Sequence, residues 1–193
     1  MKIIYLHQYF NTLNMSGGTR SFEIGKRMVE AGHEVHIVTT DTNSKNSKKL
    51  NWYKTNEEGI NVHWFTNPYS NLMSYKRRMI SFARFAIYSS LKAANLKGDL
   101  IFATSTPLTI AIPAIYSSWK NKIPMIFEVR DLWPAGPIKI KALKNPIAIL
   151  LAKWLEKLAY FKSAHVIALS PEMKEGILET GYPESKVSII PNS

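Results

Sequence analysis

Short apolar runs alternate along this chain with longer segments of helical period. Residues 3–7 form a brief apolar run. In residues 17–31, Phe22, Ile24, Gly25, Met28 and Val29 supply apolar or small positions, and Glu23, Lys26, Arg27 and Glu30 the polar side. Gly32 then closes the segment as a C′ glycine. Residues 34–40 read as a second strand, and 61–66 as a third with Val62, Trp64 and Thr66 on one side. Residues 72–96 predict a long helix, 99–103 a strand, and 107–119 a helix with Pro107 at its first position. Residues 124–129 predict a strand, 145–161 an amphipathic helix, 165–169 a strand, 171–180 a helix and 187–190 a final strand. The stretch 41–59 is rich in Asn, Ser and Lys and reads as a polar loop.

Strands such as 100–103 and 125–127 are apolar throughout, as strands are when helices cover both faces of a sheet. Strict alternation with helices predicts one α/β domain, a doubly wound parallel sheet of Rossmann-like type. At 193 residues, 46% hydrophobic and 20% charged, the chain is long enough to bury a core without covalent staples. It contains no cysteine, which excludes thiol nucleophiles and Cys-ligated metal sites. The amino terminus lacks the apolar core of a signal peptide, and no apolar run approaches the ~20 residues of a membrane span. The net charge is +11, which calls for an anionic partner or reflects a generally basic surface. Nucleic acid is not the expected partner, because the aromatic strand motifs of common RNA modules are missing.

In open parallel sheets, ligands bind beyond the carboxyl ends of the strands. Four segments qualify: 7–20, 104–107, 130–137 and 170–172. The first holds Ser16-Gly17-Gly18-Thr19-Arg20 ahead of a predicted helix, where amides and the helix end favour an anion. The same sequence suits a plain flexible turn, and spacing alone does not separate the two. It is not a Gly-x-Gly-x-x-Gly fingerprint. Glu128-Val129-Arg130-Asp131 puts three ionisable groups at one strand end, with Glu128 and Arg130 on the same side of the chain. Such charges serve either a ligand or a structural salt bridge with capping by Asp131. Trp133-Pro134 suits packing or the stacking of a sugar ring. The five histidines show no metal-ligand spacing, so no metal and no other cofactor are expected.

The residues named so far resemble family 4 glycosyltransferases of the GT-B type. The resemblance rests on the first strand with its Gly-Gly loop and helix, on Gly32-His33-Glu34-Val35 and on Phe127-Glu128-Val129-Arg130-Asp131-Leu132-Trp133-Pro134. It extends to Ala168-Leu169-Ser170-Pro171-Glu172-Met173-Lys174 and to Ile189-Ile190-Pro191-Asn192-Ser193, which is similar to the family's interdomain hinge. The His7-Gln8-Tyr9-Phe10 and Arg130–Pro134 forms look most like transferases that build capsule or O-antigen. The resemblance implies an amino-terminal, acceptor-side domain over residues 1–190, a hinge beginning at 191–193, and a donor-binding domain beyond this chain. It implies transfer from a nucleotide-sugar, most simply UDP-linked, to a lipid-linked or polysaccharide acceptor, with retention of configuration and without a metal ion. The alternative is a non-catalytic subunit that anchors a separate catalytic chain to a membrane. The isolated chain is expected to fold without turning over.

On the same resemblance, Arg130, Asp131 and Glu128 are the candidate catalytic residues, and Gly17, Gly18 and Thr19 face the donor phosphates. His7, Thr104, Ser105, Trp133 and Ser170 fall on the acceptor side. Many members carry His where this chain has Arg130, so the role of that His does not transfer. A lipid-linked acceptor implies a peripheral position on the inner face of the cytoplasmic membrane. On a helical wheel Leu72, Tyr75, Met79, Phe82, Ala83 and Ala86 share one face, the expected core side. Arg77, Arg84, Tyr88 and Lys92 fall opposite, with Arg78 and Phe85 alongside. This second set is the candidate surface for anionic lipid, and suits an ordinary solvated face equally well.

Overall fold

The computed structural model describes residues 1–42, 50–70, 73–139, 141 and 143–192. Eight strands form one sheet in the order β3-β4-β2-β1-β5-β6-β7-β8. They are β1 (Lys2–Leu6), β2 (Glu34–Asp41), β3 (Trp52–Glu57), β4 (Ile60–Thr66), β5 (Leu100–Thr104), β6 (Met125–Val129), β7 (His165–Ala168) and β8 (Val187–Ile189). All pairings are parallel except β3 with β4. The helices are α1 (Arg20–Glu30), α2 (Tyr75–Asn95), α3 (Ala111–Asn121), α4 (Ala135–Lys139), α5 (Pro146–Lys162) and α6 (Pro171–Leu178). The predicted α/β class with a Rossmann-like parallel sheet is the observed one.

Alternation along the strands divides the core in two. Ile4, Leu6, Val38, Ile101 and Ala103 face one side, where α2, α3, α5 and α6 pack. Ile3, Tyr5, Val35, Ile37 and Phe102 face the other, where Phe22 of α1 packs. Helix starts follow local chemistry. Asn145 caps α5 by accepting from the amides of Ile147 and Ala148, with Pro146 at the first helical position. Ser170 caps α6 in the same way through the Met173 amide.

Three differences from the sequence reading have physical reasons. Residues 52–57 form an edge strand rather than loop, while 43–49 lie outside the described residues. Glu58 and Gly59 carry φ of 48° and 88°, the signature of a two-residue type I′ hairpin turn between Glu57 and Ile60. At the sheet edge none of its residues is fully buried, so β3 keeps a polar composition that resembles loop. α1 begins at Arg20, so Gly17, Gly18 and Thr19 lie in the connection before it. On α2 the buried face is turned from the wheel: Phe85 is 1% exposed, while Met79 and Ala83 are exposed. Phe85 is therefore core and not a lipid contact. Small residues Ser81, Ala86, Ser89 and Ala93 let α2 sit close to its neighbours, and hydrophobicity alone does not mark them. Leu72 lies outside the described residues.

Candidate active site

The strand order reverses direction between β1 and β5, the switch point at which open α/β sheets bind ligands. A cavity of about 360 Å³ lies there, lined by His7, Tyr9, Asn11, Gly18, Thr106, Arg130, Asp131, Leu169 and Asn192. These residues come from the carboxyl ends of β1, β5, β6 and β7, from the Gly-Gly loop and from the last residues of the chain.

A polar network built on the buried Glu128 supports one wall. The Glu128 carboxylate accepts from Arg20 Nε at 2.9 Å and pairs with its Nη2 at 2.8 Å. Its other oxygen accepts from the Thr104 hydroxyl at 2.8 Å, and Thr104 is bonded to the Tyr5 hydroxyl at 3.0 Å. Burial, then the Glu128 carboxylate, pushes the Tyr5 hydroxyl up, so it stays protonated. Arg20 also donates from Nη1 to the Pro191 carbonyl at 2.8 Å and from Nη2 to that of Ile190 at 2.9 Å. One guanidinium thus joins β6 to the strap that follows β8.

Arg130 is placed differently. Its backbone amide donates to the Ser105 hydroxyl at 2.9 Å, which fixes the turn after β6. Its side chain lines the cavity, and it makes no ion pair among the described residues. A Cβ built on Gly18 would lie 3.8 Å from its Nη2. Asp131 is exposed at the rim and accepts from Thr106 at 3.3 Å. His7 is buried, with an Nδ1 that lacks a partner among the described residues. Burial and, secondarily, Arg130 hold its pKa down at about 3, so a neutral imidazole faces the cavity at neutral pH.

The structure therefore brings together His7, Gly18, Arg130 and Asp131. It does not bring Glu128, Thr104 or Ser105 to the cavity surface; these are buried behind it. Ser170 is occupied as a helix cap, and Trp133 packs half-buried against the core. Gly17 shapes the loop: its φ is +141°, and a Cβ there would strike the Asn11 side chain. Sequence reasoning missed Arg20 as a structural residue. Its signal was a cation at the first turn of a helix, where the dipole disfavours positive charge. Only a strong partner explains it, and that partner lies 108 residues away. Among the described residues no group of three or more potential ligand side chains is placed to hold a metal.

An eight-stranded, mostly parallel sheet with a strand-end cavity at its switch point defines a Rossmann-like domain of the kind that forms half of a GT-B fold. The family is equally plain. Residues 17–193 match the model of the glycosyl transferase 4-like domain, and the chain belongs to that family. No match is found among curated proteins. Among solved structures, it resembles Anabaena HepE in complex with UDP and glucose, at 14% identity and a TM-score of 0.55. That likeness covers all of this chain and 44% of HepE, so the chain spans less than half of that relative. Sucrose-phosphate synthase from Thermosynechococcus elongatus matches at 13% identity and 0.63, covering 98% of this chain and 47% of that one. The UDP-GlcNAc 2-epimerase of Methanocaldococcus jannaschii matches at 13% and 0.56, covering 100% and 46%. At these identities the likeness shows the fold.

Proposed function

We propose that the full-length protein transfers a sugar from a nucleotide diphosphate donor, UDP-linked in the simplest case, to a lipid-linked saccharide acceptor. The observation that carries this reading is the cavity cation. Arg130 is half-buried, free of any carboxylate among the described residues, and beside an open Gly18. A guanidinium in that state suits a diphosphate, whose oxygens accept its donors in pairs. Solved structures of similar fold were obtained with UDP or UDP-glucose, which supports a nucleotide-sugar as the anion.

In this reading the domain forms the acceptor-side wall of a cleft whose other wall is a donor-binding domain of the GT-B kind. Gly18 lets backbone amides approach the leaving diphosphate, and Arg130 offsets the charge that develops on it. The neutral His7 imidazole is a hydrogen-bonding group for a sugar hydroxyl rather than a second cation. Transfer proceeds with retention and without a metal ion. The acceptor's lipid brings the enzyme to the inner face of the cytoplasmic membrane, in the assembly of a surface polysaccharide.

The test is a screen of the full-length protein against nucleotide-sugars with lipid-diphosphate-sugar acceptors. Arg130→Met is expected to lower kcat/KM by about a hundred- to a thousandfold, the range for removing one preorganised donor from a developing anion. Unchanged turnover in that variant removes Arg130 from the reaction.

A further inference from the structure

Three helices stand side by side on one face of the sheet. α3 lies between α2 and α5, and its Asn121 and Ser117 side chains donate to the Ala94 and Ser90 carbonyls of α2. Their inward residues fill the larger core cluster. Their outward residues are not those of a solvated surface. α5 exposes Ile147, Leu150, Leu151 and Trp154, spaced i, i+3, i+4 and i+7 along one stripe, with Leu150 at 68% and Trp154 at 61% exposure. α3 exposes Ile112, and Trp119 at 74%. α2 exposes Ile80, Ile87 and Leu91 on the stripe that also carries Arg84.

The charge of this layer is as uneven as its polarity. The three helices contain nine Lys and Arg: five on α2, one on α3 and three on α5. They contain one acidic residue, Glu156, which is half-buried and accepts from the Tyr160 hydroxyl. The other sixteen of the chain's 25 basic residues are nearly balanced by thirteen of its 14 acidic ones. Most of the +11 charge thus sits on the layer that also exposes the apolar stripes. A protein partner would need a matching acidic and apolar surface. An anionic bilayer supplies both at once, with a negative headgroup plane over hydrocarbon, and takes helices lying in its plane.

We propose that the outer face of α2, α3 and α5 docks on an anionic membrane surface, with the Ile147–Trp154 stripe of α5 entering the acyl boundary and Arg77, Arg84, Lys153 and Lys157 at headgroup level. This deepens the reading of a lipid-linked acceptor by naming the surface, and it moves the contact from α2 alone to a layer centred on α3 and α5. Lys92 drops out of that contact. It is half-buried with its ammonium 5.4 Å from the Trp52 ring centre, and burial lowers its pKa.

The experiment is sedimentation of the 193-residue chain, and of the full-length protein, with vesicles of phosphatidylcholine alone or mixed with phosphatidylglycerol. No sugar acceptor is present, so the outcome is independent of turnover. Binding is expected only with phosphatidylglycerol. The triple change Ile147→Ser, Leu151→Ser and Trp154→Ser is expected to weaken it about a hundredfold or more, with far-UV circular dichroism unchanged. Arg77→Gln with Arg84→Gln should weaken it roughly tenfold or more. Brominated phosphatidylglycerol should quench part of the tryptophan emission, and Trp154→Phe should lower that part, with Trp119 of α3 supplying the rest. Equal binding by the triple variant overturns the proposal. So does binding by the chain but not by the full-length protein, which would mean that the rest of the protein covers this face. A dimer dissolved by the triple change, without vesicle binding, assigns the face to a second copy and overturns it as well.

Discussion

Two arginines flank the same cavity and are used in opposite ways. Arg20 is almost wholly engaged: its guanidinium meets the Glu128 carboxylate and the carbonyls of Ile190 and Pro191. Arg130 meets no carboxylate among the described residues and faces the opening. The difference lies in the partner. A buried carboxylate is too costly to leave uncompensated, so it claims the cation that can reach it. The cation left over at the rim is the one a ligand can use. A charge pattern at a strand end therefore divides into a structural part and an available part, and three-dimensional pairing draws the line.

The comparison breaks most visibly at Arg20. Arg20→Met leaves Glu128 buried without its cation, and is expected to cost about 3–5 kcal/mol of stability in urea unfolding. Adding Glu128→Gln should recover at least half of that loss. Arg130→Met should stay within about 0.5 kcal/mol of the parent chain. A large loss at Arg130, or none at Arg20, would reverse the two roles.

A smaller effect tests the neutral state of His7. Its folded pKa of about 3 lies below its ordinary value of 6.5, so its contribution is complete above about 6.5 and is lost as pH falls toward about 3. Between pH 6 and 4 the linkage amounts to about 2 kcal/mol. His63, also held down at about 3, and His36, lowered by burial, act in the same direction. The slope of stability against pH should therefore flatten in His7→Gln without vanishing. An unchanged slope would mean that His7 protonates freely in the folded chain.

The smallest effect separates the two glycines beside these arginines. Gly17→Ala meets both a φ of +141° and the Asn11 side chain, and should cost about 1–3 kcal/mol in melting experiments. Gly18→Ala meets open space, with Arg130 3.8 Å away, and should change stability by no more than about 0.5 kcal/mol. Equal losses would make both glycines structural.

Much of this was legible in the residue pattern. The parallel strands, the helices that alternate with them and the strand-end location of the cavity follow from periodicity and from a general rule for such sheets. Other features were not. Glu128 and Arg130 are two residues apart at one strand end and look equivalent, yet one is sealed behind Thr104 and the other open to the cavity. β3 was hidden by its polar composition, which an edge strand tolerates because none of its residues is fully buried.

By itself, then, the sequence determined the class of fold, because strand and helix periods are local properties that neighbouring residues enforce. It also determined the Gly-Gly loop and its place at the end of the first strand. Tertiary structure alone decided which charges are spent inside and which face of α2 is core. It decided as well that α2, α3 and α5 assemble their cations into one layer. Each of these depends on pairings between residues far apart in the chain, 108 positions in the case of Arg20 and Glu128, and local pattern carries no record of them.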